Sequence, residues 1–296
     1  MNETISEQEF QFIRKWLRHY VGQDLATDKQ YLIQVSLLDI QKSFGFHSIS
    51  EILRRLEQVA PVVDSFTLQT IEKSTGSDAL RLVQNIIDAL MVNETYFFRR
   101  PTTFEDLRSQ ILPRLIEKRL TTQRLKICCL ACSTGQEPYS LAMTIDRYFP
   151  NLSTHWDISI IASDISSKTL QKAEAGLYSD WELSRGLDTE LKERYFQKEG
   201  TLWRIDDRIR RKIQFRQANL IGSLDSLPYW PFDLILLRNV LIYFDTTVKR
   251  QILAKMRRLI ADDGLLILGE SETLLGLEEQ FSISNDIPAI CIPKSL

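Results

Sequence analysis

The chain lacks any run of the roughly 18 apolar residues that a membrane helix needs, and its N-terminal stretch MNETISEQEF is polar and acidic, unlike a signal peptide. Direct membrane insertion is not expected, and the cytoplasm is the expected compartment. An excess of either charge is also missing, since 37 Lys and Arg face 39 Asp and Glu for a net charge of −2. Without many unpaired basic residues there is no general pull toward phosphate backbones, so nucleic acid is not an expected partner. Cysteine is sparse. Three of the four residues crowd together at Cys128, Cys129 and Cys132, which is not the spacing of a disulfide framework. Cys129 and Cys132 form a C-x-x-C, but zinc would need two further ligands, and Cys291, His19, His47 and His155 share no ligand spacing. No metal is expected, and small cysteines packing a strand are a commoner outcome than a redox dithiol.

What the chain does have is core-forming material, with 296 residues at 44% hydrophobic content, enough for two domains or one large one. Ser6 and Glu9 form a capping box ahead of Phe10, Ile13, Leu17 and Tyr20 at helical spacing, so the chain is expected to open with a helix. Further helices are expected near 28–43, 48–58 and 78–92, with no strand before residue 124. This predicts a small helical domain over residues 1–92. A helix from Thr102 toward Arg119, kinked by Pro113, then delivers the chain to the strand LKICCLA. From there helices and strands alternate: EPYSLAMTIDRYF, ISIIASD, SKTLQKAEAG, KIQFRQA, FDLILLRN, a helix at 246–260, the turn ADDG and the strand LLILGES. FSISNDIPAICIP reads as a terminal antiparallel hairpin. The prediction for 93–296 is an α/β fold with a mostly parallel sheet covered on both faces. An insertion over about 176–212 is too long for a connector, and YFQKEGTLWRI within it suggests a small antiparallel β-subdomain.

The corner CCLACSTGQEPYS at 128–140 joins a strand to a helix, where α/β proteins bind nucleotides. It holds one glycine where a dinucleotide fingerprint needs three, and no P-loop lysine. Asp164, closing the next strand, is placed to accept both hydroxyls of a ribose, with capping of the helix that starts at Ser166 as the alternative. A nucleoside without phosphate but with an amino-acid tail is S-adenosylmethionine.

Five segments in order, N-x-T-x-F-F-R at 93–99, S-T-G-x-E-P-Y-S at 133–140, A-S-D-I at 162–165, N-L at 219–220 and R-N-V-L-I-Y-F at 238–244, resemble the motif series of the CheR family. These are the bacterial chemoreceptor glutamate O-methyltransferases, and the resemblance spans nearly the whole chain. It implies a Rossmann-like class I methyltransferase sheet behind a helical domain, with S-adenosylmethionine as cofactor and S-adenosylhomocysteine as product. It implies that Asn93, Thr95 and Arg99 close over the methionine end and that Glu137 meets the ammonium. Asp164 would take the ribose, Asn219 and Leu220 would border the adenine, and Arg238 and Asn239 would complete the wall. Read singly, Arg99 and Arg238 could be surface ion-pair residues, Glu137 a helix N-terminal carboxylate and Asn239 a turn residue.

A glutamate carboxylate is ionised at neutral pH, so no general base is needed for attack on a sulfonium methyl. What remains is alignment in a site that excludes water. Arg99 and Tyr243 are the candidates for steering that carboxylate, although Tyr243 could simply pack the core. The expected partner is a chemoreceptor or a related signalling protein, and a monomer is expected. Other readings are a nucleic-acid methyltransferase, disfavoured because RNVLIY stands where an N/D-P-P-Y tetrad would, and a cofactor-binding regulatory protein without transfer.

Two stretches depart from the family pattern. The arginine-rich helix that meets the receptor's acidic helices would correspond to YLIQVSLLDIQKSFGF, which has one lysine and no arginine. Residues 1–90 carry 9 Lys and Arg against 12 Asp and Glu, a balance of −3 that would not steer an acidic helix inward. QKEGTLWRI is shorter and poorer in glycine than in relatives that dock a receptor's C-terminal peptide, so no tether docking is expected. Arg204, Arg208, Arg210, Arg211, Lys212 and Arg216 are candidates for a substitute basic surface, or for a charged edge that only protects against aggregation.

Overall fold

The computed structural model describes residues 4–63, 71, 76–228, 231–287 and 289–295. Helix α1 (Glu7–Val21) starts at the expected capping box, with Ser6 Oγ accepting the Glu9 N–H at 3.3 Å and Glu9 Oε2 accepting the Ser6 N–H at 2.9 Å. Helices α2 (Gln30–Phe44), α3 (Ile49–Val59) and α4 (Ser77–Leu90) follow close to their sequence-read spans. Their apolar faces share a core of their own around Ile13, Leu17, Leu37, Ile52 and Ile86. The polar tips of its large aromatics are satisfied: Trp16 Nε1 donates to the Ala60 carbonyl at 3.1 Å and the Tyr20 hydroxyl to that of Pro61 at 2.7 Å.

Helices α5 (Pro101–Asp106) and α6 (Leu112–Arg119) are joined by a π-helical turn at Leu107–Ile111. The kink expected at Pro113 is thus a widened turn just ahead of it, because proline has no N–H for the carbonyl of residue 109 and its ring crowds that carbonyl. The chain then runs through β1 (Arg124–Leu130), α7 (Gln136–Tyr148), α8 (Pro150–His155), β2 (Asp157–Asp164) and α9 (Ser167–Ala175). The insertion follows as β3 (Leu177–Tyr178), α10 (Asp180–Ser184), α11 (Thr189–Tyr195), β4 (Phe196–Glu199), β5 (Leu202–Ile205) and α12 (Asp207–Arg210). It gives way to β6 (Ile213–Gln217), β7 (Phe232–Leu237), α13 (Thr246–Leu259), β8 (Ile260–Leu268), β9 (Phe281–Ile283) and β10 (Ile290–Pro293).

The main sheet has the order β6-β2-β1-β7-β8-β10-β9. Pairs among β6, β2, β1, β7 and β8 are parallel, and β10 joins antiparallel to both β8 and β9. The terminal hairpin is therefore present, with Pro288 of its connection outside the described residues. Strand order reverses between β1 and β7, and a crevice opens there at the carboxyl ends of the strands. Successive residues of β1 point to opposite faces, so Cys128 packs into one core layer while Cys129 and Cys132 pack into the other. Burial pushes all three thiols up, away from the thiolate a redox dithiol would need.

The ADDG turn expected before β8 is instead part of the strand. Phe232 pairs with Ile260 and Leu234 with Leu265, so two steps on β7 face five on β8 and the surplus forms a bulge. Arg119 holds it, with Nε on Asp233 at 2.7 Å and Nη2 on Asp263 at 2.6 Å.

The insertion forms a three-stranded antiparallel sheet, β3-β5-β4. The two strands read from YFQKEGTLWRI are β4 and β5, while β3 is too short for alternation to reveal it. The subdomain rests on the 93–99 segment through Gly186. Its φ of +106° suits glycine alone, and an added Cβ would lie 1.8 Å from the Phe97 carbonyl oxygen. The candidate basic surface is largely neutralised: Arg204 pairs with Glu199, Arg208 with Asp206, and Arg210 and Arg211 both with Asp207. It is an edge of local ion pairs.

Candidate active site

Strand β1 ends in a backbone that enters the left-handed region three times within five residues, with Ala131 at φ 53°, Ser133 at φ 50° and Gly135 at φ 92° leading into α7. Asp164, at the end of β2, holds this corner in place. Its Oδ2 accepts the Ser133 N–H at 2.8 Å and its Oδ1 accepts the Ser166 N–H at 3.0 Å. The cap on α9 is Ser166, whose hydroxyl accepts the Thr169 N–H. Asp164 is therefore both a backbone brace and a wall of the crevice, since each oxygen retains a second acceptor site. Burial raises its pKa, opposed by those N–H bonds.

The first turn of α7 places Glu137 opposite the end of β7, where Arg238 Nη1 donates to Glu137 Oε2 at 2.8 Å. The pair is nearly dry, with side chains 1% and 12% exposed for Arg238 and Glu137. Burial pushes the Glu137 carboxyl up and Arg238 pulls it back. Arg238 Nη2 also donates to the Arg99 carbonyl at 2.8 Å, so one guanidinium ties β7 and α7 to the 93–99 segment. The other face of that segment is held by Ser133 Oγ, which donates to the Asn93 carbonyl at 2.8 Å, and by Ser140 Oγ, which accepts the Phe98 N–H at 2.9 Å.

The helical domain closes the top. Asn219 Nδ2 donates to the Tyr20 carbonyl at 2.7 Å, the Asp24 N–H to the Tyr243 carbonyl at 3.3 Å, and Arg18 pairs with Asp245 at 2.8 Å. The result is a single cavity lined by Asn93, Thr95, Arg99, Glu137, Asp164, Asn219, Leu220, Arg238, Asn239 and Tyr243, all ten residues expected from the sequence. Several of them are already engaged: Arg238 with Glu137, the Asn219 amide with α1, Asp164 with the Ser133 and Ser166 N–H groups, and Arg99 with the Glu94 carbonyl. Val21 and Gln23 at the end of α1 and Phe244 after β7 also line the cavity. Nothing in the sequence marks Gln23, a buried polar side chain set beside apolar neighbours. Among non-glycine residues with positive φ, Phe98, Arg100, Ala131, Ser133 and Asn239 all lie on or beside this cavity, which is where backbone strain collects when a site dictates the local fold.

The cavity's chemistry fits S-adenosylmethionine. Asp164 stands beside the apolar surfaces of Ile165, Leu220 and Phe244, as a ribose and a purine require, and Glu137 Oε1 is left to meet an ammonium group. Arg99 adds a cation to the lining, and among the described residues the lining holds neither a lysine nor a glycine-rich cradle for phosphate. A parallel sheet with an antiparallel end, carrying this crevice at its switch point, defines a Rossmann-like S-adenosylmethionine-dependent methyltransferase. The family described as CheR methyltransferase, SAM binding domain, matches residues 93–289, and the chain belongs to that family. It is 36% identical to chemotaxis protein methyltransferase 1 of Pseudomonas aeruginosa, over 97% of this chain and 98% of that one. It is 34% identical to chemotaxis protein methyltransferase Cher2 of Pseudomonas putida, over 95% and 96% of the two chains. Chemotaxis protein methyltransferase 1 of Vibrio cholerae is likewise 34% identical, over 97% of each.

Proposed function

We propose that the chain transfers a methyl group from S-adenosylmethionine to glutamate side chains of a chemoreceptor, forming methyl esters in the cytoplasm. One observation carries the choice of acceptor. Among the described residues, the cavity lining holds no histidine or lysine, and its carboxylates are engaged: Asp164 by two N–H groups, Glu137 by Arg238, and Glu94 by Arg185 at 3.0 Å. The acceptor sites left on Asp164 and Glu137 are those this reading gives to the cofactor's ribose and ammonium, so no lining side chain remains as a general base, which favours an acceptor that arrives already nucleophilic, as a carboxylate does at neutral pH. The cofactor supplies a methyl carbon made electrophilic by its sulfonium.

The protein's task is to orient and to exclude water. Arg99 donates one Nη1 hydrogen bond to the Glu94 carbonyl at 2.9 Å and lies over the Tyr96 ring at 5.6 Å, which fixes its guanidinium while leaving Nη2 for the incoming carboxylate. Tyr243 borders the same cavity and offers a hydroxyl whose pKa burial raises, so it remains a donor at neutral pH. The N-terminal helical region contributes Val21, Gln23, Met91 and Val92 to the cavity wall, and the chain from residue 93 onward carries the transfer.

Substrate docking differs from an arginine-rich helix. Helix α2 exposes Tyr31 and Leu32, at 70% and 56%, and its one basic residue Lys42 lies beside Asp39. The β4–β5 connection is a two-residue turn, because Glu199 pairs with Leu202, and this supports recognition independent of a receptor's C-terminal tether peptide. The test is transfer of labelled methyl groups to receptor signalling fragments, read as base-labile volatile methanol, with a tether peptide titrated separately. Ester formation on glutamates supports the reading. Cofactor binding without any transfer would favour a regulatory role, and micromolar tether binding would contradict that part of the proposal.

A further inference from the structure

The end of β7 carries a feature that the ten cavity residues do not account for. Three successive N–H groups, of Asn239, Val240 and Leu241, all donate to the carboxylate of Glu272, at 2.7, 2.8 and 2.6 Å. A fourth comes from Gly269 at 2.6 Å, so the same side chain also fixes the end of β8. The φ of 58° at Asn239 turns these amides to one side and makes a concave anion-binding nest, filled here by the chain's own glutamate. The approach is tight: a Cβ on Gly269 would stand 2.5 Å from Glu272 Oε2 and 2.9 Å from the Asn239 nitrogen.

Glu272 itself does not line the cavity, whereas Arg238, Asn239, Val240 and Tyr243 do. The turn continues through the Tyr243 N–H to the Val240 carbonyl at 3.2 Å, so its conformation sets where the Tyr243 ring lies. Immediately before it, Arg238 reaches Glu137. We propose that Glu272 is a positioning residue whose carboxylate holds the 238–243 turn, and through it the Arg238 strut and the Tyr243 hydroxyl, in the geometry that binds the cofactor and transfers the methyl group. The inference rests on the assignment of this cavity to S-adenosylmethionine. No signal short of the fold joins residues 239 and 272, although an acidic residue just past the carboxyl end of a parallel strand is where site groups gather.

Glu272→Gln keeps the shape but replaces one acceptor oxygen with a donor, leaving two of the four N–H groups facing an N–H₂. In the folded variant, the amide proton resonances of Asn239, Val240 and Leu241 are expected to move upfield without any ligand. Affinity for S-adenosylhomocysteine is expected to fall at least about tenfold, the scale of one lost charged hydrogen bond. Glu279→Gln, which alters a surface pair with Arg250, is expected to leave both readouts at the wild-type value. A folded Glu272→Gln protein whose affinity stays within about twofold of wild type, below one such bond, would overturn the proposal whether or not the amides shift, and unshifted amides would show that Glu272 does not hold the turn. A glutamate that merely stabilised the fold would lower the melting temperature and shift the amides bonded to it, but would leave S-adenosylhomocysteine affinity within about twofold of wild type. If Glu272→Gln does not fold, Glu272→Asp, which keeps the charge but draws it back by one methylene, is judged by the same criteria. Wild-type protein that failed to bind S-adenosylhomocysteine would count against the cavity's assignment, while a fall in affinity confined to Glu272→Gln, beside normal wild-type binding, separates failure of the Glu272 proposal from failure of that assignment.

Discussion

The cofactor corner and the inserted subdomain use the same residue types, arginine against carboxylate, for opposite ends. In the corner, Arg238 is almost dry and bridges elements more than a hundred positions apart, from Arg99 through Glu137 to β7. In the subdomain, Arg208, Arg210 and Arg211 pair with Asp206 and Asp207 a few residues away and remain in contact with water. Counting basic residues favours the subdomain as a binding surface. Burial and convergence favour the corner, because only a dry, long-range pair leaves an uncompensated charge when one partner is removed.

Arg238→Ala should be the most damaging substitution in the corner. It would leave Glu137 buried without its partner and is expected to cost about 3–5 kcal/mol in urea unfolding. Next is Gly186→Ala, which forces a side chain against the Phe97 carbonyl at a positive φ. A loss of about 1–3 kcal/mol is expected, along with weaker cofactor binding, because the 93–99 segment is displaced. Unchanged affinity would mean that the subdomain does not brace that wall.

Acidification tests the corner more gently. Burial raises the pKa of Asp164 and Glu137 above their ordinary values of 3.8 and 4.5, so both take up protons at higher pH than they would in the unfolded chain. Their contribution to stability is then most favourable at low pH and is lost as pH rises through the raised values. Cofactor affinity runs the other way, since ribose and ammonium need the ionised forms. Affinity for S-adenosylhomocysteine should therefore weaken as pH falls, beginning above the ordinary carboxylate range, and calorimetry across that range checks it. The smallest effect is expected from Arg208→Ala in the subdomain, within about 0.5 kcal/mol of wild-type stability.

Much of this was legible in the sequence where the period was strong. Helices α1 to α4 and strands β1, β2, β6 and β7 fall close to their patterns because each buries a continuous apolar face. The bulge in β8 was not legible: Asp262, Asp263 and Gly264 are turn residues by local preference, and only pairing with β7, secured by Arg119, draws them into a strand. The neutral edge of the subdomain could have been read, since Asp207 stands three and four residues before Arg210 and Arg211. The ten cavity residues were expected chiefly from the motif series that resembles the CheR family, with Asn93, Thr95 and Arg99 ahead of the sheet and most of the others at strand ends, whereas Gln23 in the cavity wall and Glu272 behind it meet the site only through contacts that no local pattern encodes.

In the proposed site the buried carboxylates hold the cofactor, and calorimetric titration of wild-type and Asp164→Asn protein with S-adenosylhomocysteine decides whether they do. Loss of a charged hydrogen-bond acceptor predicts binding weakened by roughly one to two orders of magnitude in a variant that remains folded. Equal affinity in the two proteins would remove Asp164 from the cofactor site and contradict the account.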